Sequence, residues 1–209
     1  MYRAVFLDLD DTLFDRTAAV RRWAAATLPP LADTDEQWLL ERDARGRRPR
    51  LELATDLVER FALPTRPEVI ASAFPLQLAS HVEREAGVRT QIARLAILTR
   101  VAVVTNGSGA AQRMKLRRLG LDQLVHAVFI SGELGVAKPG HEIFQRALRW
   151  SGQAAADCLF VGDDPANDIA PAAALGLVTA WREREPWPAE QQPPTHRLSS
   201  IDALEQLCA

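Results

Sequence analysis

The sequence predicts an α/β protein: a doubly wound parallel sheet with a block of helices inserted after its first strand. Three observations lead to this fold class. The opening run Ala4–Leu7 is apolar, too short for a helix and typical of a buried strand. Residues 15–86 contain helical patterns and no strand candidate. From Gly87 onward, short apolar runs alternate with helical segments, as they do in parallel sheets covered on both faces.

Three carboxylates directly follow the first predicted strand: Asp8, Asp10 and Asp11. Carboxylates that lie close together in a low-dielectric environment repel one another and lose favourable hydration. Such a group is therefore stable either as solvated helix caps, with a helix starting near Thr12, or around a bound cation. These residues alone leave both interpretations open.

The helical block comes next in the chain. Asp33 begins one predicted helix, and Gly46 ends it. Pro67 suits the first turn of a later helix, which Pro75 would end or kink. We therefore expect two domains, with these bounds: a core of residues 1–15 and 87–209, and a helical domain of residues 16–86.

Strands and helices alternate in the second half of the chain. Gly120 and Gly176 each stand where a left-handed residue commonly closes a helix. A proline-rich run at 186–194 is typical of a surface loop. We expect strands at about 101–104, 127–130, 158–161 and 177–181, and helices at about 90–98, 108–119, 142–150, 168–175 and 201–207.

The composition excludes several classes of function. Lys and Arg total 25 against 27 for Asp and Glu, a net charge of -2, which gives no support for binding to a nucleic acid polymer or a membrane surface. No apolar run approaches the roughly 18 residues that a membrane span needs. Cys158 and Cys208 match no metal-ligand spacing and indicate a reducing compartment. We expect a cytoplasmic protein, a monomer or a homodimer, whose partner is a small molecule.

Polar residues also follow the second predicted strand. In open parallel sheets, ligands bind outside the carboxyl ends of the strands. Thr105, Asn106 and Gly107 lie there at a helix start, where backbone N–H groups favour a phosphate, although an ordinary turn uses the same residue types. Lys138, in the loop after the third strand, is the only cation that we place in this set, and a solvated lysine is its alternative interpretation.

The fourth predicted strand is followed by a second acidic cluster, which contains Asp163, Asp164 and Asp168. Carboxylate oxygens suit a hard cation, and a site with few carboxylates and retained waters suits Mg²⁺ better than Ca²⁺. Helix capping by Asn167 or Asp168 is the alternative, and capping and metal binding can occur together. The sequence therefore predicts a magnesium site or a capped helix start at this position.

Taken in this order, the four segments resemble the haloacid dehalogenase superfamily. That family has Asp-x-Asp after the first strand, Thr or Ser after the second, a Lys, and an acidic loop after the fourth strand. The matching residues are Asp8-Leu9-Asp10-Asp11-Thr12, Thr105-Asn106-Gly107, Lys138-Pro139, and Gly162-Asp163 to Asn167-Asp168. The resemblance implies a Rossmann-like core with a helical cap. The second half looks most like the branch of pyrimidine and nucleoside-monophosphate nucleotidases.

The resemblance implies a Mg²⁺-dependent phosphatase that hydrolyses a small phosphorylated metabolite. By that resemblance, Asp8 is the nucleophile and becomes an aspartyl phosphate, and Asp10 acts as acid and base. Mg²⁺ would be held by Asp8, the backbone carbonyl of Asp10 and Asp163, with Asp168 farther out and Asp164 only an outer candidate. The residues assigned to the phosphoryl group are Thr105, Asn106, Gly107 and Lys138.

Several other functions use similar residues. A phosphomutase would keep Asp10, whereas dehalogenases of the family lack this aspartate, so dehalogenation is disfavoured. A phosphoacceptor signalling domain would carry its acceptor aspartate after the third strand, where this chain has Ser131. A binding protein without turnover is a further alternative, against which the complete set of motifs argues.

The helical domain carries an arginine-rich segment whose role the sequence leaves open. One interpretation is that one or two of these arginines contact an anionic or planar part of the substrate. The other, which we favour, is a solvated basic loop. The segment contains Arg42, Arg45, Arg47, Arg48 and Arg50.

Overall fold

A computed structural model describes residues 2–208, which form two compact units. One unit contains the residues up to Phe14 and those from Arg84 onward, and the other is Asp15–Glu83. The strands of the first unit are β1 (Ala4–Leu7), β2 (Arg100–Thr105), β3 (Ala127–Ile130), β4 (Cys158–Gly162), β5 (Val178–Arg182) and β6 (His196–Leu198). The helices of the chain are α1 (Arg16–Thr27), α2 (Asp33–Asp43), α3 (Arg50–Phe61), α4 (Pro67–Ser80), α5 (Val88–Leu98), α6 (Gly109–Leu119), α7 (Ser131–Leu134), α8 (His141–Ser151), α9 (Ala170–Ala174) and α10 (Leu204–Cys208).

The six strands form one parallel sheet in the order β3-β2-β1-β4-β5-β6. The strand β1 is central, and Leu7 pairs with Val103 of β2 and with Val161 of β4. All four residues of β1 are buried, as expected for a strand covered on both faces. On one face, Phe6 and Phe160 of the sheet share a core cluster with Phe144 of α8. The predicted fold class, α/β with a doubly wound parallel sheet, is confirmed.

The second unit consists of the helices α1 to α4. Its core contains an edge-to-face pair between Trp23 of α1 and Phe74 of α4, with ring centroids 4.6 Å apart. The indole N–H of Trp23 donates to Gln77 Oε1 at 3.0 Å, so this buried polar group is satisfied. Leu39 of α2 and Leu57 of α3 are fully buried. The unit thus has a hydrophobic core of its own.

Some predicted elements differ from the structure. Pro75 does not end its helix, because α4 continues to Ser80. The short elements α7 and β6 were not predicted. In place of a single helix over 168–175, the chain forms a π-helical turn, Pro165–Ile169, followed by the short α9. The start of α4 at Pro67 and the left-handed Gly120 after α6 confirm the predicted helix ends.

The helices within residues 2–208 are short, and none has both the length and the apolar character to cross a membrane. The longest, α4, has 14 residues. Both cysteines are buried and free. Cys158 begins β4, and its thiol donates to the carbonyl of Ala154 at 3.3 Å. This cysteine is a small buried side chain of the core.

Candidate active site

The carboxyl ends of β1, β2 and β4 lie side by side, because β1 is hydrogen-bonded to both of the other strands. Asp8 directly follows β1, Thr105 is the last residue of β2, and Asp163 directly follows β4. The backbone N–H of Asp8 donates to the carbonyl of Val161 at 2.8 Å, so the sheet itself fixes the position of Asp8. Three of the predicted site residues therefore lie together at the carboxyl ends of the strands, which form the edge of the sheet referred to below.

Lys138 links two buried carboxylates at this edge. Its Nζ lies 2.6 Å from Asp8 Oδ1 and 2.6 Å from Asp168 Oδ1. Burial raises the pKa of Asp8 to about 7, although the charge of Lys138 opposes this shift. Burial also disfavours the charged form of Lys138, but Asp168 and Asp8 outweigh it and raise the pKa of the ammonium group overall. One permanent cation therefore faces two carboxylates.

Asp163 adds a third carboxylate to this group. Carboxylate oxygens of Asp8, Asp163 and Asp168 all lie within 4.8 Å of one another, and the three residues are buried. The hydroxyl of Thr12 lies 3.2 Å from Asp8 Oδ2 and 3.5 Å from Asp163 Oδ1. The indole N–H of Trp181 donates to the backbone carbonyl of Asp163 at 2.8 Å. Three carboxyl groups lie beside one ammonium group, and their oxygens fit a divalent cation such as Mg²⁺, whose charge would favour the ionised form of each.

Asp168 reaches this group because Gly162, at the end of β4, has no side chain. A Cβ at position 162 would lie 2.5 Å from the Cβ of Asp168, much closer than any normal contact. Asp168 Oδ2 accepts a hydrogen bond from the backbone N–H of Asp164 at 3.1 Å. Asp164 itself caps the π-helical turn, since its Oδ1 accepts from the backbone N–H of Asn167 at 3.1 Å. The prediction that Asn167 or Asp168 supplies this cap was wrong.

The loop after β2 is tied to the backbone of Lys138. The side-chain amide of Asn106 donates to the Lys138 carbonyl at 2.8 Å and accepts from the Lys138 N–H at 2.9 Å. The backbone N–H of Gly107 donates to the hydroxyl of Ser131 at 2.9 Å, so this group is bound within the protein. Thr105 is buried, whereas Asn106 and Gly107 are exposed. These contacts fix the point from which the Lys138 side chain extends.

Asp10 has two partners that the sequence analysis missed. Lys115 Nζ lies 2.6 Å from Asp10 Oδ1 and 2.9 Å from Asp10 Oδ2. Gln112 Nε2 lies 2.8 Å from Asp10 Oδ2. The expectation that Lys138 is the only cation at this edge was therefore wrong. Gln112 and Lys115 are three residues apart on α6, which places both side chains on one helix face, but this spacing alone does not distinguish a buried polar pair from a solvated one.

The arginine-rich segment of the second unit makes ion pairs within that unit. Arg48 Nη2 lies 2.7 Å from Asp56 Oδ2, and Arg50 Nη1 lies 3.0 Å from Asp43 Oδ1. Asp43 also binds the buried guanidinium of Arg16. These contacts give Arg48 and Arg50 a structural role in their own unit.

Known protein families and proteins are similar to this chain in sequence. The chain matches the family described as haloacid dehalogenase-like hydrolase over residues 2–176. It is 37% identical over 113 residues to pyrimidine 5'-nucleotidase YjjG of Escherichia coli (strain K12). This match covers 52% of this chain and 49% of that protein. It is 30% identical over 193 residues to glyceraldehyde 3-phosphate phosphatase of Pyrococcus abyssi (strain GE5 / Orsay), which covers 87% and 81%. The match to YjjG thus spans about half the length of that relative.

Solved structures share the fold of this chain. The HAD-hydrolase YfnB from Bacillus subtilis, solved with bound magnesium, aligns with a TM-score of 0.82 at 23% identity and covers 99% of this chain and 98% of that one. The L-2-haloacid dehalogenase from Xanthobacter autotrophicus aligns with a TM-score of 0.77 at 17% identity and covers 99% and 98%. At these identities the likeness shows the fold alone. The family match over most of the chain and the phosphatase relative confirm the resemblance inferred from the sequence: this chain is a hydrolase and belongs to the haloacid dehalogenase-like family.

Proposed function

We propose that this hydrolase is a Mg²⁺-dependent phosphatase that cleaves a small phosphomonoester through an aspartyl phosphate on Asp8. The observation that carries the proposal is the environment of Asp8, a buried carboxylate held by Lys138 and grouped with Asp163. Curated relatives named as a pyrimidine 5'-nucleotidase, a glyceraldehyde 3-phosphate phosphatase and a phosphoserine phosphatase support it. Because those names differ in substrate, the proposal is made for phosphomonoesters as a class, with nucleoside monophosphates as one candidate.

The first half-reaction transfers the phosphoryl group to the protein. A carboxylate oxygen of Asp8 forms a bond to phosphorus while the bond between phosphorus and the leaving oxygen breaks. Asp10 donates a proton to that leaving oxygen, so the product departs as an alcohol. The two-residue offset between Asp8 and Asp10 places both side chains on the same side of an extended segment.

The second half-reaction releases the phosphoryl group. Asp10, now deprotonated, takes a proton from a water molecule while the water oxygen attacks phosphorus. The bond between phosphorus and the Asp8 oxygen breaks, and inorganic phosphate leaves. Asp8 is then again a carboxylate and Asp10 is again protonated, as at the start of the cycle.

The phosphoryl oxygens need hydrogen-bond donors and positive charge during both transfers. Three groups at this edge are proposed to supply them: the hydroxyl of Thr105, the backbone N–H of Asn106 and the ammonium group of Lys138. The raised pKa of Lys138 keeps its ammonium group charged at neutral pH. Because Asn106 fixes the Lys138 backbone, the donors are in place before the substrate binds.

The residues proposed to hold Mg²⁺ are Asp8, Asp163 and the backbone carbonyl of Asp10, with Asp168 in an outer position. The outer position of Asp168 is favoured because its two oxygens already accept from Lys138 and from the backbone N–H of Asp164. When bound, Mg²⁺ supplies the positive charge that lets an anionic carboxylate approach an anionic phosphoryl group. The buried and incompletely neutralised carboxylates are what make the site suitable for a divalent cation.

The helical unit, Asp15–Glu83, is proposed to act as a cap that selects the substrate. It is inserted in the chain between β1, which carries Asp8, and β2, which carries Thr105. The resemblance to cap-containing members of the family supports this role. The cap would then decide which phosphomonoester is used, while the sheet edge performs the chemistry.

We also propose a cytoplasmic location and a monomeric or homodimeric state, with a small phosphorylated metabolite as the partner. Two free and buried thiols suit a reducing compartment. Size-exclusion chromatography with light scattering measures the oligomeric state directly.

The proposed function is tested with a chromogenic aryl phosphate. Wild-type protein should turn over this substrate with Mg²⁺, should lose the activity in EDTA, and should lose it in the Asp8→Asn variant. The matched control is Asp122→Asn, at an exposed aspartate outside the site, which should keep wild-type activity. Equal rates in Mg²⁺, in EDTA and in Asp8→Asn would refute the proposal.

The products separate phosphatase activity from its alternatives. A phosphatase releases inorganic phosphate and the free alcohol in equal amounts. A phosphomutase would convert a sugar phosphate into its isomer without releasing phosphate. A phosphoacceptor protein would accumulate a phosphorylated Asp8 that persists for many minutes with no turnover.

A further inference from the structure

The helix α6 presents two buried polar side chains to the residues proposed to perform the chemistry. Gln112 is 1% exposed and Lys115 is 6% exposed, on the helix that directly follows the Thr105 loop. Lysine is rarely buried unless it is paired, because the ammonium group loses its hydration. Both side chains therefore need polar partners in the interior of the protein, and Asp10 is a partner of each.

The amide of Gln112 connects three groups of the site. Its Nε2 lies 2.8 Å from Asp10 Oδ2, 2.7 Å from Thr105 Oγ1 and 3.0 Å from the backbone carbonyl of Asn106. The backbone carbonyl of Asn106 can only accept a hydrogen bond, so this end of the amide must be the NH₂ group, whose two hydrogens are shared among the three acceptors. The orientation of the Gln112 side chain is thus determined by its partners.

This orientation limits the role of the Thr105 hydroxyl in its contact with Gln112. The Gln112 NH₂ group donates to Thr105 Oγ1, so the oxygen acts as an acceptor in that contact. The hydroxyl hydrogen of Thr105 is then available to donate to another oxygen. A phosphoryl oxygen at this edge of the sheet is the acceptor that the proposed function requires.

Lys115 acts on the other side of the same carboxylate. Its Nζ is within hydrogen-bond distance of both oxygens of Asp10, at 2.6 and 2.9 Å. The ammonium group also lies 5.7 Å from the centre of the Phe14 ring, so its surroundings are partly apolar. A short contact to both oxygens in a buried place restricts the rotation of the Asp10 side chain.

We propose that Gln112 and Lys115 are positioning residues: Lys115 fixes the carboxylate of Asp10 in the orientation needed for proton transfer, and Gln112 couples that carboxylate to the Thr105 hydroxyl. This inference rests on the proposed phosphatase function and assigns roles to two residues outside the motifs. Neither residue is assigned a proton transfer or a bond to the phosphoryl group. Both act through residues that are assigned these steps.

The test of Lys115 uses two aryl phosphates that differ only in a nitro group on the ring. The value of kcat/KM reports the transfer to Asp8, in which Asp10 protonates the leaving oxygen. Phenolate is a poorer leaving group than p-nitrophenolate and depends more on that proton. In Lys115→Met, we expect kcat/KM to fall for both substrates, and the fall for phenyl phosphate to be about tenfold larger than the fall for p-nitrophenyl phosphate. A difference of this size is within the contribution that a general acid typically makes to a rate.

The ratio of the two rates does not depend on how much of the variant is folded, because misfolding lowers both rates equally. A purely structural role for Lys115 would therefore leave the ratio at its wild-type value, and that result would overturn the inference. The matched control is Arg113→Met on the same helix, where an exposed arginine pairs with Glu133. It should change neither rate.

The test of Gln112 uses Gln112→Met, which keeps the volume but removes the NH₂ group. Thr105 contacts the phosphoryl group whatever the leaving group is, so kcat/KM should fall about tenfold or more for both substrates, as when an oriented donor is disturbed. Mg²⁺ should still raise the thermal stability of the variant. This result would show that the group of Asp8, Asp163 and Asp168 is intact. Wild-type rates in Gln112→Met would refute its role.

The proposed function and this inference fail in different ways. If wild-type protein releases no phosphate, or if Asp8→Asn is as active as the wild type, the proposed function is wrong. The positioning roles of Gln112 and Lys115 are then wrong as well. If wild-type protein is active and Asp8→Asn is not, while Lys115→Met keeps the wild-type ratio, only the positioning role of Lys115 is wrong.

Discussion

One hydroxyl group joins two acidic residues in the candidate active site. Thr12 Oγ1 lies 3.2 Å from Asp8 Oδ2 and 3.5 Å from Asp163 Oδ1. A hydroxyl has a single hydrogen, so it can donate fully to only one carboxylate at a time. Thr12 therefore holds the two acids near each other while only partly compensating their charge. The remaining charge is what a divalent cation would neutralise.

Replacing this hydroxyl should weaken metal binding. Thr12→Val keeps the shape of the side chain but removes the donor, and changes of this kind beside metal ligands typically cost about 10- to 100-fold in metal affinity. We expect a higher Mg²⁺ concentration for half-maximal activity in Thr12→Val. Thr12→Ser, which restores the hydroxyl, should return most of the affinity. An unchanged Mg²⁺ dependence in Thr12→Val would show that the hydroxyl has no part in it.

At the residue scale, the sequence indicates acidic residues at strand ends better than it indicates their partners. Asp8 and Asp163 could be singled out because each follows an apolar strand, where a carboxylate is unexpected. Gln112 and Lys115 could not, because polar residues three apart on a helix are ordinarily on the solvent side. Their contacts with Thr105 and Asp10 in the folded chain show that this face is turned inward, and the sequence of the helix does not contain this information.

Three helices of the second unit meet at Asp43, the last residue of α2. The carboxylate of Asp43 binds Arg16 of α1 and Arg50 of α3, the latter at 3.0 Å, and accepts from the backbone N–H of Gly46 at 3.0 Å. Arg16 and Asp43 are both buried. Burial alone would raise the pKa of Asp43, but Arg16 and Arg50 outweigh it and lower the pKa overall. The ion pairs thus connect elements that are otherwise joined by short loops.

Removal of this carboxylate should destabilise the helical unit. Asp43→Ala removes the carboxylate that pairs with the buried guanidinium of Arg16, and breaking a buried ion pair typically costs about 3–5 kcal/mol. Chemical denaturation at neutral pH measures the loss. The matched control is Asp35→Asn, which breaks an exposed pair with Arg60 and should change stability far less.

The contribution of Asp43 should also depend on pH. Because the pKa of Asp43 is lower in the folded protein, its stabilisation is complete above the ordinary aspartate pKa of about 3.9 and is lost as the pH falls through the folded pKa. The difference in stability between wild type and Asp43→Ala should therefore shrink in acid. A difference that stays constant between neutral and acidic pH would contradict this account.

At the element scale, long or strongly apolar segments were predictable and short ones were not. The strand β3 was predicted with the bounds that the structure has. The three-residue β6 was missed because an isolated stretch of that length has no periodicity to detect, and its strand form depends on pairing with β5. Pro75 was expected to end or kink its helix; α4 does not end there but continues to Ser80, and Phe74 and Leu78 beside the proline are buried.

At the scale of the whole molecule, the sheet order brings together residues that are far apart in sequence. Asp8, Lys138 and Asp163 belong to three different parts of the chain, yet they meet because β1 lies between β2 and β4. A ligand held by all these parts binds the folded chain and not the unfolded one. Mg²⁺ should therefore stabilise the whole sheet unit and not only the loops that contact it.

Thermal unfolding with increasing Mg²⁺ checks this expectation without any substrate. At a concentration 100 times the dissociation constant, binding to the folded state alone adds about 2.7 kcal/mol to its stability. Asp163→Asn should lose most of this stabilisation, whereas Asp122→Asn should keep it. A melting temperature independent of Mg²⁺ in the wild type would argue against a metal site at this position.

The central place of β1 also affects how the chain is made. Ala4–Leu7 is translated before both of its hydrogen-bonding neighbours, β2 and β4, and the whole helical unit lies between it and β2. Asp15–Glu83 is continuous in sequence, so it can fold as a nascent domain while this apolar strand still waits for its neighbours. The strand that precedes the proposed nucleophile thus stays without its neighbours until both have been synthesised, and the proposed active site cannot form before β4 is translated.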